Sequence, residues 1–451
     1  MKTKNTGYGA KLLALLLFAG CQDYLDLKPD KKMVVPHTAE DCRALLDDYD
    51  TMNTGYPNLG EGASDNLLLK DADWEALRNP EDRGLYTWES GTPPMVNQWS
   101  NPFRVVFNAN LILKVLDELP GTADIRQMQG EALFFRAYAF HSLASHFIPP
   151  YQAATQGKAQ GLPLRLTPEV DIAPGRGTVK ETYDRIVADL ERAVDLLPDK
   201  TPLPSRPNRV AALGMLARVY LAMGLYDEAG DFADRCLQLK PDLMDYSTLS
   251  ATSTTPVSRF NSEVIFQSVA SSGALFGTSV CRVDTMLYRS FEEDDLRKRV
   301  FFRINSDGYA TFKGNYDGRF NSTQFTGLTT AEMYLTRAEA NARSGKIDAA
   351  MDDLNTLLMS RWNKSAAFDE KNAWNTLSAL KIILTERRKE LVFRGLRWSD
   401  LRRLNTESAF QQLLVREIGG TTYRLPPGDP RYTFLIPNEV IARTNMEQNE
   451  R

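Results

Sequence analysis

Carboxylates and arginines alternate along Glu386-Arg387-Arg388-Lys389-Glu390-Leu391 and again along Gly395-Leu396-Arg397-Trp398-Ser399-Asp400-Leu401. That alternation would suit an acid/base site, in which one carboxyl holds a proton while another stays ionised. On a helix Glu386 and Glu390 share a face, with Arg387, Arg394 and Arg397 within reach. Such groups also satisfy one another between packed helices, and a perturbed ion-pair network is not by itself a catalyst. The expectation is therefore structural ion pairing here, and likewise for Glu131 with Arg136 and Glu332 with Arg337. Hydrolysis of a glycosidic bond would need two carboxylates roughly 5 to 10 Å apart across a cleft. Asp65, Asp71, Asp73 and Asp294 are available for it only as loop acids outside any recognisable motif. No Gly-x-Ser-x-Gly elbow, phosphate-binding glycine loop or dinucleotide fingerprint occurs. The chain is not expected to be an enzyme or to need a cofactor.

A second reactive group stands near the start. Lys2, Lys4 and Lys11 precede the apolar run Leu12 to Ala19, and then come Ala19-Gly20-Cys21. This order is that of a secretory signal, and the run is far too short to span a bilayer. Small residues before a thiol suit a narrow peptidase pocket, and the segment resembles a bacterial lipobox, with Phe18 where Leu is usual. The reading is a signal peptide over 1–20, removed before Cys21, and a lipid on the Cys21 sulfur. Residues 21–36, with Asp23, Asp26 and then Pro29, read as an extended, solvated leash.

The remaining cysteines, Cys42, Cys236 and Cys281, are an odd set and imply no disulfide framework. No Cys-x-x-Cys spacing occurs, and His141 and His146 are five apart, so they are not an i, i+4 ligand pair. No metal centre is expected. A formal charge of -4, without a basic block, argues against nucleic acid as partner. With 43% hydrophobic and 25% charged residues, the 451-residue chain has an ordinary globular composition.

Helical periodicity dominates the rest. Phe103 to Leu119, Met128 to Phe147 and Val179 to Leu197 each carry an apolar face and end at prolines. From Asn208 to Pro241, Leu216, Ala217, Tyr220, Gly224, Ala229, Ala233 and Cys236 fall where a tetratricopeptide helix-turn-helix places them, with Tyr220 between the helices. A second copy follows at Ala331 to Trp362, and the earlier helices are natural partners for stacking. Helical repeats are thus expected over about 99–246 and 328–405. The stretches at about 53–98, 247–327 and 406–451 are rich in Gly, Ser, Thr, Asn and aromatics, with β-like runs at Val264-Ile265-Phe266 and Phe301-Phe302-Arg303-Ile304. Binding is expected in these insertions.

Several segments together resemble one family, the SusD/RagB type of outer-membrane nutrient-binding lipoproteins. They are Cys21 with Leu25-Asp26 and Pro29, Trp99 with Phe103 and Ala109-Asn110, Glu131 to Tyr138, Arg218 to Gly224, Glu332 to Ala340, and the 386–401 stretch. Ile436-Pro437-Asn438-Glu439 and Gln448-Asn449 resemble the family's closing signature. The chain departs from it at Arg394, where Glu is frequent, and at Thr444-Asn445-Met446 in place of Asn-Pro. The resemblance implies a mostly α protein, with tetratricopeptide-like helix pairs as scaffold and a loop-rich, partly β ligand-binding half, forming one domain over 37–451. It implies a lipid-anchored protein at the cell outer membrane, surface-exposed, and partnered with a SusC-like TonB-dependent transporter.

A sugar presents flat C–H faces and a rim of hydroxyls, so its site needs aromatic platforms beside amide, carboxylate and guanidinium groups. Loop residues Trp74, Tyr86, Trp88, Tyr288 and Tyr316 supply rings, and Asp65, Asn66, Asn97, Asn315 and Arg319 supply polar groups. Trp99 and Trp398 lie on helical patterns and are assigned to packing. The expected ligand is a glycan. Two alternatives are a peptide or other nutrient, and a repeat scaffold that organises surface proteins without binding a ligand.

Overall fold

From Asn97 on, nine helices of eight residues or more among the described residues form the scaffold: α1 (Asn97–Asp117), α2 (Ala123–Phe147), α3 (Val179–Leu196), α4 (Arg209–Met223), α5 (Tyr226–Leu239), α6 (Thr330–Arg343), α7 (Ile347–Met359), α8 (Thr376–Glu390) and α9 (Arg397–Leu404). The computed structural model describes residues 36–169 and 174–451. The signal, Cys21 and the leash lie outside the described residues, apart from Pro36 at the end of the leash. Thr38–Arg451 form one compact unit, and the architecture is mostly helical, as expected.

Five of these helices start at a side-chain cap. The side chains of Thr122, Thr178, Asn208, Thr329 and Asn375 each accept from the backbone N–H three residues on, satisfying donors that a first turn leaves open. Gly224 ends α4 in the left-handed region at φ 73, which a Cβ would disfavour, and lets the chain reverse into α5. Tyr220 stacks on Phe232 across that hairpin, with ring centroids 5.5 Å apart. Each of α1 to α7 packs on the next, and α8 packs on α6. The two tetratricopeptide copies are thus direct neighbours, α5 against α6, although residues 240–329 separate them in sequence. An amphipathic hairpin cannot bury its apolar side alone, and stacking on the next one does so.

The segments outside the array are less irregular than their composition implied. Residues 53–98 hold short helices at Leu59–Ala63, Asp71–Glu75 and Pro80–Tyr86, and α1 begins at Asn97, six residues before the expected start. Both β-like runs form strands: Val264–Phe266 pairs with Leu328–Thr329, and Phe302–Ile304 with Ala310–Phe312. Leu67–Leu68 pairs with Arg282–Val283, and Leu414–Ile418 with Thr421–Leu425, all antiparallel. An aromatic-rich core lies beneath these segments, with Tyr86, Phe276, Phe301, Phe302, Tyr316, Phe325 and Phe393. The cores of the helical array are Leu, Ala and Phe at helical spacing, with Trp99 and Trp398 packed into one of them.

Candidate ligand-binding face

The charged motif sits at the join between the helices and the loop-rich segments. Glu386 and Glu390, at the end of α8, are buried; Lys389 of the same helix reaches Glu386 at 2.9 Å, and the other counter-charges come from far along the chain. The Arg297 guanidinium donates to Glu386 at 2.5 Å and to Glu390 at 3.2 Å, while Arg361 donates to Glu390 at 2.8 Å and to Glu263 at 3.0 Å. Arg387 and Arg403 converge on Asp400, each at 2.9 Å. Glu390, Asp400 and Glu339 are all held below the usual carboxylate range; burial opposes this, and the facing guanidiniums outweigh it. Each is thus an ionised, fully paired carboxylate, which neither gives nor takes a proton near neutrality.

Pairing was legible in the sequence, but the partners were not. Glu131 meets Arg43 at 2.6 Å rather than Arg136, which forks onto Asp189 at 2.7 Å. Glu332 meets Arg218 at 2.6 Å rather than Arg337, which pairs with Asp353 at 2.6 Å. An i, i+5 spacing points two side chains to different sides of a helix, so each finds its partner on another element. Arg394 lays its guanidinium on the Tyr316 ring, 3.5 Å from the centroid. The departure from Glu at that position therefore serves packing.

The structure sorts the expected ligand residues by accessibility. Trp88 is 1% exposed, donates its Nε1–H to Ala63 O at 2.9 Å, and lies under the Arg416 guanidinium together with the buried Tyr86. Tyr316 is 0% exposed, and its hydroxyl is tied to Glu263 at 2.8 Å and to Tyr246 at 2.6 Å. Asn66 is buried, donates to Glu61 at 2.8 Å and accepts from Arg388 at 3.2 Å. Asn315 is buried and folds the 315–325 turn, donating to Thr323 O and accepting from Phe325 N, each at 3.0 Å. Trp88, Tyr316, Asn66 and Asn315 are packing residues, which corrects the expectation that they face ligand. Loop composition cannot distinguish a ring resting on a hidden core from one facing water.

Asp65 is also committed. It receives Arg397 Nε at 2.7 Å, Arg397 Nη2 at 2.8 Å and Gln412 Nε2 at 2.9 Å, and against burial the Arg397 and Arg388 guanidiniums hold its carboxyl well below the usual range. The α8–α9 motif thereby clamps the 61–66 segment and fixes where the following short helices emerge. Glu61, wholly buried beside it, is pushed up to about 7 by burial.

Four expected residues keep an accessible surface. Trp74, on the short helix Asp71–Glu75, is half-buried on the aromatic core and donates Nε1–H to Arg83 O at 3.3 Å. Tyr288, half-buried on the same core, has the exposed Met286 beside it in sequence and the Lys298 ammonium 5.6 Å from its ring centroid. Asn97 opens α1, and its Oδ1 has no partner. Arg319 has a side chain 60% exposed, with Nε 3.5 Å from the buried Asp317 carboxylate, whose pKa burial raises. Trp74 and Tyr288 thus share one rigid support; Asn97 and Arg319 stand on other elements. An accessible aromatic was missed: Trp374, 85% exposed just before α8, in a loop that the repeat pattern absorbed. Its one visible signal is the Asn-rich composition of 363–375.

Comparison with known proteins gives a consistent picture. Residues 23–221 match a family described as starch-binding and associating with the outer membrane, 300–432 match the SusD family, and 210–243 match a tetratricopeptide repeat. SusD-like protein P2 of Formosa agariphila is 24% identical, the match covering 78% of this chain and 79% of that protein. A structure from Bacteroides vulgatus described as a sugar-binding protein superposes with a TM-score of 0.75 at 22% identity, covering 92% of this chain and 99% of the other. Surface glycan-binding protein A from Bacteroides uniformis gives 0.70 at 18% identity, covering 92% and 100%. The structural likenesses establish the fold, and with the matches to both parts of the sequence they show that the chain belongs to the SusD/RagB family.

Proposed function

We propose that this protein is a cell-surface lipoprotein that captures oligosaccharides and passes them to a SusC-like TonB-dependent outer-membrane transporter. The observation that carries the reading is the pair of half-exposed rings, Trp74 and Tyr288, seated on one aromatic core. A rigid ring with one open part offers a sugar its apolar face without losing side-chain freedom on binding. Arg319, 60% exposed and paired only at 3.5 Å with Asp317, offers a further polar group on another element, and Asp65 acts behind this face by fixing the loop that carries Trp74. Glu390 and Asp400 are held ionised by the guanidiniums that face them and Glu386 is paired with Arg297, so capture without cleavage is the expected chemistry. Two of the similar structures are of proteins described as sugar-binding and glycan-binding, which supports the same ligand class.

Calorimetry of the full chain against a panel of oligosaccharides, with analysis of the products, tests this. The expected result is saturable binding of at least one oligosaccharide with no new reducing ends. Turnover would overturn the non-enzymatic reading, and binding of peptides but no glycan would overturn the ligand class. Co-purification with an adjacently encoded transporter tests the partner.

A further inference from the structure

Trp74 and Tyr288 are carried by two separate short helices, Asp71–Glu75 and Thr285–Arg289, of five residues each. A helix of that length makes too few hydrogen bonds to hold a direction by itself. The segments that lead into the two helices meet in one antiparallel ladder, Leu67 opposite Val283 and Leu68 opposite Arg282. Two residue pairs are fewer than an independently stable sheet needs. Side chains at the two ends of this ladder supply what the backbone lacks.

At the end where Asn66 stands beside Asp284, the guanidinium of Arg388, on α8, reaches both segments. Its Nε donates to Asn66 Oδ1 at 3.2 Å, and its Nη2 donates to Asp65 O at 2.6 Å and lies 3.5 Å from Asp284 Oδ1. The same Asp284 oxygen accepts from Leu287 N at 2.8 Å and so caps the helix that carries Tyr288, while Asp284 N donates to Asn66 O at 2.9 Å. A planar fork of donors holds two chains in one geometry, which a flexible ammonium does not.

At the other end, one carboxylate oxygen of Asp307 receives Lys70 Nζ at 2.7 Å and Arg282 Nη2 at 3.0 Å. Lys70 is the residue before the helix that carries Trp74, and Arg282 lies on the facing strand. Asp307 itself stands in the turn between the paired strands Phe302–Ile304 and Ala310–Phe312, and the Phe302 ring meets Tyr288 edge-on with 5.6 Å between centroids. One carboxylate thus joins the root of one ring to the support of the other. Partly exposed ion pairs such as these add little to global stability, so their consequence is local alignment.

We propose that Arg388 and Asp307 are positioning residues that hold Trp74 and Tyr288 at a fixed separation, so that this face selects oligosaccharides long enough to rest on both rings at once. The inference rests on the oligosaccharide reading given above and adds to it a dependence on chain length. Neither residue touches the sugar; both act through the rings. A ligand that reaches a second platform gains affinity because the second contact is intramolecular, and that gain requires a matched and fixed spacing.

Calorimetry on the full chain, with maltose, cellulose, mannan and xylan oligomers of one to six units as probes, tests this. In the wild type, affinity for the accepted series is expected to step up by about tenfold at one chain length. Asp307→Asn keeps the oxygen that accepts from Tyr309 N and removes the charge; Arg388→Met removes the guanidinium while Asp65 keeps Arg397 and Gln412. In each variant the step should shrink to about threefold or less, with affinity below the step near wild type. A merely destabilised protein would instead bind every length more weakly by one common factor. Hydrogen exchange without ligand gives a second readout: amides of 71–75 and 285–289 should exchange faster in the variants, and those of α1 to α7 at the wild-type rate. A step of wild-type size in both variants, or unchanged exchange in both short helices, would overturn the proposal. Should Arg388→Met fail to fold, Asp307→Asn alone decides. If no series binds the wild type, the oligosaccharide reading fails by itself, and exchange alone decides the positioning.

Discussion

The Arg361 guanidinium and the Glu390 carboxylate meet at 2.8 Å with both side chains 0% exposed, joining the loop after α7 to the end of α8. Arg297 and Glu263 extend the pair into a network without solvent. Glu390→Gln would leave two buried guanidiniums facing one fewer carboxylate. Breaking one partner of such a buried pair costs about 3–5 kcal/mol. Urea unfolding should show a loss of that size, and a loss under 1 kcal/mol would mean that water enters the network.

Glu61 makes stability depend on pH in a defined window. Burial raises its pKa to about 7 in the folded chain, where it accepts from Asn66 Nδ2 at 2.8 Å and Gly395 N at 3.1 Å. The unfolded chain releases that proton near pH 4.3, so the folded state binds more protons between the two values. Stability from this group is therefore full below about pH 4.3 and falls as pH rises to about 7, by up to about 4 kcal/mol. Glu61→Gln should flatten the fall; urea midpoints from pH 4.5 to 8 for both proteins measure it, and parallel curves would refute the assignment. Asp65, depressed in the folded state, acts oppositely: its contribution is present above about pH 4 and is lost in stronger acid.

Two loop tryptophans should respond to mutation in opposite ways. Trp74→Ala and Tyr288→Ala are each expected to lower oligosaccharide affinity about tenfold, near 1.4 kcal/mol, with little change in stability. Trp88→Ala should instead cost about 3–5 kcal/mol of stability, because it empties a buried volume. Calorimetry and thermal melts on the three variants distinguish these outcomes. An unchanged affinity for both Trp74→Ala and Tyr288→Ala would remove these rings from the site.

Anchoring is open to a direct test. Cys21→Ser removes the only atom expected to carry lipid, so the protein should move from the membrane to the soluble fraction on centrifugation of lysed cells. Retention in the membrane pellet after salt washing would contradict lipid attachment at that residue.

The helical scaffold was legible because apolar residues at a 3.6-residue period, caps such as Asn208 and a left-handed Gly224 act over one or two turns. The two tetratricopeptide copies announced themselves in the same way. Partner choice within the charged motif was not legible, since Glu390 draws Arg361 and Arg297 from segments folded against it and not from its own helix.

The amino-acid sequence by itself determined the helix pairs, their repeat, the family and the nature of the loop-rich segments as carriers of aromatic and amide groups. Tertiary structure alone decided which of those groups meet water. Trp74 and Trp88 are fourteen residues apart in the same kind of loop, yet one is half-open and the other sealed beneath Arg416. Burial is a property of the assembled core, and no local spacing encodes which side of it a residue will face.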